Sequence, residues 1–503
     1  MTLNRFLPIY IIILFFVTLL LRIILIGYYN NNLGGIELNV VYGIQRLLLG
    51  QPLYQDPTTG SFAVIQYTPL YYYLIAGIAR VAGIKASDVQ SVFELCRTIA
   101  LVFNLLTIGV CAVVIRTMGF NWLKSITFSL PLLMALTSHY YTRGDSMHLF
   151  LFVAAIWAFI SYTRKNAVLY IILAALLTAG CFMVKQSGLL CFGITGCYIL
   201  FIERRFLAAV IYTASAILFS GLLAIIFIGA GNMHLFYLNA WLGLKNGIDV
   251  SFLYSMFISQ FFLDLVPFYL LGGVMAWFAI KKVPDKTYRI LAAGAALSFM
   301  FAVVTGLKKG SSNNYFTEFL ILVMLALPYF VQYANEQKLS FQLAKYRISI
   351  YHFATGVLII LITSKTIGFF SAVYIEKGFK NYREEYVRDL LLYDYFRQSL
   401  HIRPGEKIFF TERRFLDNLF IEYAIMPTKD VTTLVYMANK TTYNYFGFIN
   451  GMNTGMIKYI VTDERRDDIN ICSDTLPFVH FDTMKFKLVT KVSGYCIYQY
   501  SGV

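Results

Sequence analysis

Charge is what this sequence has least of. Only 14% of its 503 residues are Asp, Glu, Lys or Arg, and acids are the scarcer kind, 27 against 42 basic residues. With 58% hydrophobic residues and a mean hydropathy of +0.64, too few solvated side chains remain to cover a globular surface, which excludes an ordinary soluble protein. A continuous basic stripe is also missing. Lys and Arg fall mostly in short turns between apolar runs, and the C-terminal region mixes both signs, so the net charge of +15 is not a nucleic-acid footprint. The seven cysteines show no metal-type spacing. Cys96, Cys111, Cys181, Cys191 and Cys197 lie in or beside apolar runs as small hydrophobes, whereas Cys472 and Cys496 stand in the C-terminal region, where an oxidising compartment would let them pair. No small-residue cleavage site follows the first apolar run, which reads as a retained helix. No internal repeat is apparent, which weighs against a transporter or flippase built from symmetric halves.

What is present is a succession of apolar runs from Phe6 to about Phe370, then ordinary composition. The expected fold is an all-α polytopic membrane domain over 1–373, with outer-face juxtamembrane helices, followed by a small α/β soluble domain over 374–503. Eleven spans are expected, at 6–27, 92–116, 122–138, 147–163, 167–184, 188–202, 206–229, 256–280, 290–306, 316–333 and 348–373. The segment 67–83 is short, opens near a proline and carries Arg80. If it does not cross, thirteen Lys and Arg in alternate turns, from Arg116 to Arg347, share the side of Arg5, as the positive-inside rule requires. The N-terminus is then cytoplasmic, in a plasma or inner membrane, and the soluble region extracytoplasmic.

That topology gathers Glu37, Asp145, Lys185, the loop 231–255 and Lys308-Lys309 on the outer face. Ile36, Val40, Val41, Ile44, Leu47 and Leu48 recur at helical spacing, so 36–49 reads as an amphipathic helix lying flat on the membrane. In the C-terminal region, runs at 407–411, 457–462, 486–492 and 495–500 read as strands, and 413–424 as a helix. Each polar residue has a plain reading beside a functional one. Glu37 suits a helix N-terminus, and Asp145 a helix cap. Lys185, Gln186 and Arg97 suit an interface where long side chains reach out of lipid. His139, Asp145 and His148 invite a metal, without a close ligand cluster. Asp264 lies inside an apolar run, where an acid is functional by default. Asn439-Lys440-Thr441 matches a glycosylation sequon.

In order along the chain, Glu37 in the first outer loop, Tyr67-Thr68-Pro69-Leu70-Tyr71, Arg143-Gly144-Asp145, Lys185-Gln186 and the run Lys308 to Phe316 resemble the GT-C superfamily of integral-membrane glycosyltransferases, including the protein O-mannosyltransferases and lipid A aminoarabinose transferases. The resemblance covers roughly residues 1–330. It departs from the family pattern where Glu37 replaces the more usual Asp and Thr68 the first of two prolines. It implies an inverting transfer of a sugar from a polyprenyl-phosphate donor to a glycan, lipid or protein acceptor at the outer face. Glu37 and Asp145 are the implied catalytic pair. Lys185, Gln186, Lys308, Lys309 and Arg143 are the implied donor-phosphate contacts, and Tyr67, Pro69, Tyr71, Asn314 and Tyr315 the implied substrate pocket. No metal site is assigned, although some members of the superfamily use a divalent cation. The chemistry fits the residue types independently. A sugar hydroxyl needs a positioned base to attack an anomeric carbon, and a departing lipid phosphate needs fixed cations. An oligosaccharide ligase or polymerase using the same carriers is the nearer rival, a transporter or flippase the more distant one.

Overall fold

The computed structural model describes residues 3–29, 36–136, 142–255, 266–281, 283, 285–311, 313–343, 346–371, 383–411, 415–438, 443, 446–464 and 483–502. The first helix, α1 (Leu3–Ile26), is followed by two short helices, α2 (Glu37–Leu48) and α3 (Leu70–Val81), and then by the long α4 (Val89–Thr117). Asp88 starts α4 by accepting a hydrogen bond from the Ser91 N–H at 3.1 Å. The expected span 122–138 is divided into α5 (Trp122–Ser129) and α6 (Pro131–Ala135), with Pro131 in the first turn of the second piece, where its missing N–H costs no internal bond. Next come α7 (Asp145–Lys165), α8 (Val168–Val184), α9 (Leu189–Cys197), α10 (Phe206–Ile228), α11 (Met233–Phe236), α12 (Val250–Ser255), α13 (Val266–Lys281), α14 (Lys286–Gly306), α15 (Thr317–Glu336) and α16 (Ile350–Phe370).

Among the described residues, seven helices are long and apolar enough to cross a membrane: α1, α4, α7, α10, α14, α15 and α16. The expected spans 122–138, 167–184, 188–202 and 256–280 fall on shorter helices, the last with its first part outside the described residues. The doubtful segment 67–83 holds α3, whose 12 residues reach about 18 Å, too short for a hydrocarbon core of about 30 Å. Helices α7 and α15 are buried along most of their length and form the centre of the bundle with α8 and α14. Helix α10 instead exposes Phe206, Leu207, Ile217, Leu218, Ile225 and Ile226, the surface expected of a lipid-facing helix.

Helix α2 differs from its expected place flat on the membrane. Eleven of its twelve residues are buried, because α3 and α4 pack against it from one side and the C-terminal segment from another. Its polar face is satisfied inside the protein. The Arg46 guanidinium donates to the Pro52 carbonyl at 3.0 and 2.9 Å and to Gln55 Oε1 at 2.6 Å. Amphipathic spacing reveals that a helix has two faces, but not that the polar one faces another part of the chain.

A two-stranded ribbon, β1 (Ser340–Leu343) and β2 (Tyr346–Ser349), joins α15 to α16. The C-terminal segment opens with α17 (Arg383–Gln398) and β3 (Lys407–Phe410). It continues through α18 (Leu416–Leu419), α19 (Lys429–Ala438) and α20 (Phe446–Thr454) to β4 (Ile457–Asp463), β5 (Phe486–Val492) and β6 (Tyr495–Tyr500). The strands form one sheet in the order β3-β4-β6-β5, with β3 and β4 parallel and the other pairs antiparallel. All four expected strands are present, whereas the expected helix 413–424 is only the single turn α18, and residues 412–414 lie outside the described residues. The expected boundary after 373, the sequon at Asn439 and Cys472 also lie outside them, so the pairing with the buried Cys496 is not described. Leu38, Val41, Ile44, Ile75, Phe93, Phe410, Leu416, Leu419 and Phe420 belong to one continuous core that joins the helices to the C-terminal segment.

Candidate active site

The polar residues singled out in the sequence come together at one end of the helix bundle. The start of α2, the start of α7, the end of α8, the end of α14 and the start of α15 meet there. Glu37 is the first residue of α2 and fully buried, and its Oε1 accepts a hydrogen bond from the Thr142 N–H at 2.6 Å. A backbone donor and the positive end of a helix therefore both face this carboxylate.

Three residues after Thr142, Asp145 opens α7. No side-chain cap is made at this helix start; the Asp145 carboxylate meets side chains from other segments instead. Arg143 Nε lies 2.9 Å from Oδ2, Lys185 Nζ 2.7 Å from Oδ1, and Asn314 Nδ2 donates to Oδ1 at 3.3 Å. The Lys185 ammonium also sits over the Tyr315 ring, 5.6 Å from its centre. Burial pulls the Lys185 pKa down, but the attraction of Asp145 outweighs it and holds the group above its ordinary value, charged at neutral pH.

Lys308 follows the end of α14 and is half-buried. Burial, reinforced by the nearby charge of Lys185, pushes its pKa down to about 8. Lys309 is exposed, so the two adjacent lysines diverge. Their loop is tied to the loop after α11: Lys309 N–H donates to the Gly247 carbonyl at 3.1 Å, and Asn246 Nδ2 to the Lys309 carbonyl at 3.3 Å. Ser312 lies outside the described residues. Arg143 and Lys185 thus share one acid, Asp145, while Lys308 lies near enough to Lys185 to feel its charge, which leaves positive charge in surplus on this side of the site.

Gln186 is stitched into the chain. Its Nε2 donates to the Gln66 carbonyl at 2.6 Å and to the Ala240 carbonyl at 2.7 Å, so both N–H donors hold loops together and neither is left for a phosphate. Gln66 in turn donates to Gly243 O and, at 3.3 Å, to Asn246 Oδ1. Thr68 explains the departure from a double proline: its hydroxyl donates to the Phe182 carbonyl at 2.9 Å, satisfying one of the orphan carbonyls at the end of α8. Pro69 then starts α3, the Tyr67 carbonyl accepts from Tyr54 Oη at 2.8 Å, and Tyr71 lies buried beside Cys96, Glu37 and Asp145. Burial raises the Tyr71 phenol, with Cys96, Glu37 and Asp145 adding to it, so it stays a proton donor. Gly144 admits this packing: a Cβ there would meet Val184 Cγ1 at 3.0 Å and Tyr71 Cβ at 3.4 Å.

Beneath the site lies a cluster that the sequence only hinted at. His148 Nε2 is 2.9 Å from Glu318 Oε1 and 3.3 Å from Ser187 Oγ, and its Nδ1 is 3.2 Å from Cys181 Sγ. Glu318 was missed, although an acid opening an apolar run was the available signal. Among the described residues no group of three or more His, Cys, Asp or Glu could hold a metal, and His139 and Asp264 lie outside them. Arg97 is elsewhere, donating to the Tyr28 carbonyl at 2.8 Å and stacking on Phe93.

By sequence the chain matches no family model and no curated protein. By structure, 21 solved chains match it. One is ArnT from Cupriavidus metallidurans bound to undecaprenyl phosphate, with TM-score 0.56 and 10% identity over 99% of this chain and 98% of that one. Another is the Archaeoglobus fulgidus oligosaccharyltransferase in complex with Zn and sulfate, with TM-score 0.54 and 13% identity over 98% of this chain and 73% of that one. A third is the archaeal oligosaccharyltransferase AglB from Archaeoglobus fulgidus with an inhibitory peptide and a dolichol-phosphate, with TM-score 0.54 and 12% identity over 95% and 72%. The chain therefore shares the fold of these solved proteins, and the likeness spans its C-terminal segment as well as its helices.

Proposed function

We propose that the protein is an inverting glycosyltransferase that moves a sugar from a polyprenyl-phosphate donor to an acceptor hydroxyl at the outer face of the plasma membrane. The observation that carries the reading is the meeting of a buried carboxylate, Glu37, with a cation-rich set, Arg143, Lys185 and Lys308, at one end of an apolar bundle. The solved proteins of this fold that hold undecaprenyl phosphate and dolichol-phosphate support the donor class. The basic turns at the other end of the bundle support an outward-facing site, a cytoplasmic N-terminus and an extracytoplasmic segment after residue 373.

In this reading Glu37 takes the proton of the acceptor hydroxyl as its oxygen attacks the anomeric carbon. The bond from that carbon to the phosphate oxygen breaks on the opposite face, and the lipid phosphate leaves with the electron pair. Lys185 and Lys308 stabilise the charge that develops on it, with Arg143 held in place through Asp145. Tyr67 and Tyr315 lie beside Lys185 and Tyr71 beside Glu37 and Asp145, so aromatic groups stand near both base and cations, as suits a sugar ring. Replacing Glu37 by Gln keeps size and hydrogen bonding but removes the base. Release of polyprenyl phosphate in reconstituted membranes should fall at least a hundredfold, about the weight of general-base catalysis. Wild-type turnover by this variant would overturn the assignment.

A further inference from the structure

The proposed base stands on a helix with little local support at its start. Ile36 precedes Glu37 without a side-chain cap, so α2 must be fixed by what packs on it. Besides α3 and α4, that support comes from residues more than 370 positions later. Asn418, in the single turn α18, is buried against α2. Its Nδ2 donates to the Leu38 carbonyl at 3.1 Å, one residue from Glu37, and to Gln45 Oε1 at 2.9 Å. Gln45 replies through Nε2, which donates to the Asn418 carbonyl at 2.8 Å and to the Ala86 carbonyl at 2.6 Å, just before α4. Both ends of the helix are thereby held.

The same segment also holds the loop that leads to Tyr67. Met426 N–H donates to the Ser61 carbonyl at 2.6 Å, Val64 N–H to Thr428 Oγ1 at 2.9 Å, and Tyr436 Oη to the Pro57 carbonyl at 2.6 Å. Ser61 Oγ shares a hydrogen bond with Tyr42 Oη of α2 at 2.7 Å, closing the frame. A region that only presented an acceptor would not need buried, reciprocal amide bonds to the helix bearing the base.

We infer that the C-terminal segment is a clamp that positions the base-bearing helix, with Asn418 and Gln45 as positioning residues for Glu37. The inference rests on the proposed role of Glu37 for its catalytic consequence, but not for its mechanics. Two measurements on the full-length protein in detergent separate them. In Asn418→Ala, amide hydrogen exchange over 37–48 should rise about tenfold or more, while β3 and β4 exchange as in the wild type. Turnover should fall about tenfold with donor KM within about twofold, the pattern of a displaced base rather than lost binding. Asn418→Asp guards against a folding defect. It is isosteric yet loses the donor to both the Leu38 carbonyl and Gln45 Oε1, so α2 should loosen again. Unchanged exchange over 37–48 in both variants overturns the clamp, as does loosening of β3 and β4 together with α2, which would make Asn418 a general fold element. If the wild type transfers no sugar but α2 loosens selectively, the clamp stands and the proposed reaction falls.

Discussion

The two ends of the helix bundle use charge in opposite ways. At one end, Arg164 pairs with Asp285 at 3.0 Å, and Glu203 lies 3.4 Å from Arg205 and 3.6 Å from Lys286. The basic partners keep 37%, 38% and 50% of their side chains exposed. At the other end, Asp145, Arg143 and Lys185 pair at 2.9 and 2.7 Å with only 6%, 9% and 12% exposed. The pairs are somewhat shorter there, but the larger difference between the ends is solvent. Exposed pairs are screened and contribute about 0–1 kcal/mol. Buried charges carry a desolvation cost that pairing offsets only in part, so they mark function better than stability.

This contrast can be broken most strongly at Asp145. Asp145→Ala leaves Arg143 and Lys185 in a buried site without their shared counter-charge, and should cost about 3–5 kcal/mol in detergent-solubilised unfolding. A loss below about 1 kcal/mol would mean that the site is wetter than its burial implies. A smaller effect is expected at Lys308. Because burial and Lys185 lower its pKa to about 8, the ammonium loses its charge as pH rises through that value, and donor kcat/KM should fall on an alkaline limb centred there. Lys308→Arg keeps the charge and should move that limb upward by more than a unit. The linkage has the opposite sign for folding. The unfolded lysine holds its proton to higher pH, so this group favours the folded state as pH rises from about 8 towards 10.5. The smallest effect is expected at the basic end, where Arg164→Ala should shift stability by less than about 1 kcal/mol and leave transfer unchanged. A large loss of activity there would erase the distinction between the ends.

Much of the site was legible because its residue types are rare in such a chain. Glu37, Asp145, Lys185 and Lys308 stood out as charges beside apolar runs, and the structure brings them to one end of the bundle. Gln186 was legible as a polar residue in the right turn but not as a stitch between two loops, since its partners lie 120 and 54 positions away. Glu318 was harder still, because its pairing with His148 joins helices 170 positions apart. Helix α17 escaped notice because its apolar spacing is weak beside its many charges.

Hydropathy is a local property, so the sequence alone determined where most of the apolar helices form and that they suit a membrane. The strands of the C-terminal segment were equally local, each a short β-branched or aromatic run. Only the tertiary structure decided that α2 is buried rather than lying on lipid, that Asp145 is shared by two cations, and that Asn418 reaches the helix of Glu37. Those outcomes depend on which polar groups meet once water is excluded. A buried donor must find an acceptor wherever the chain places one, and local sequence does not carry that information.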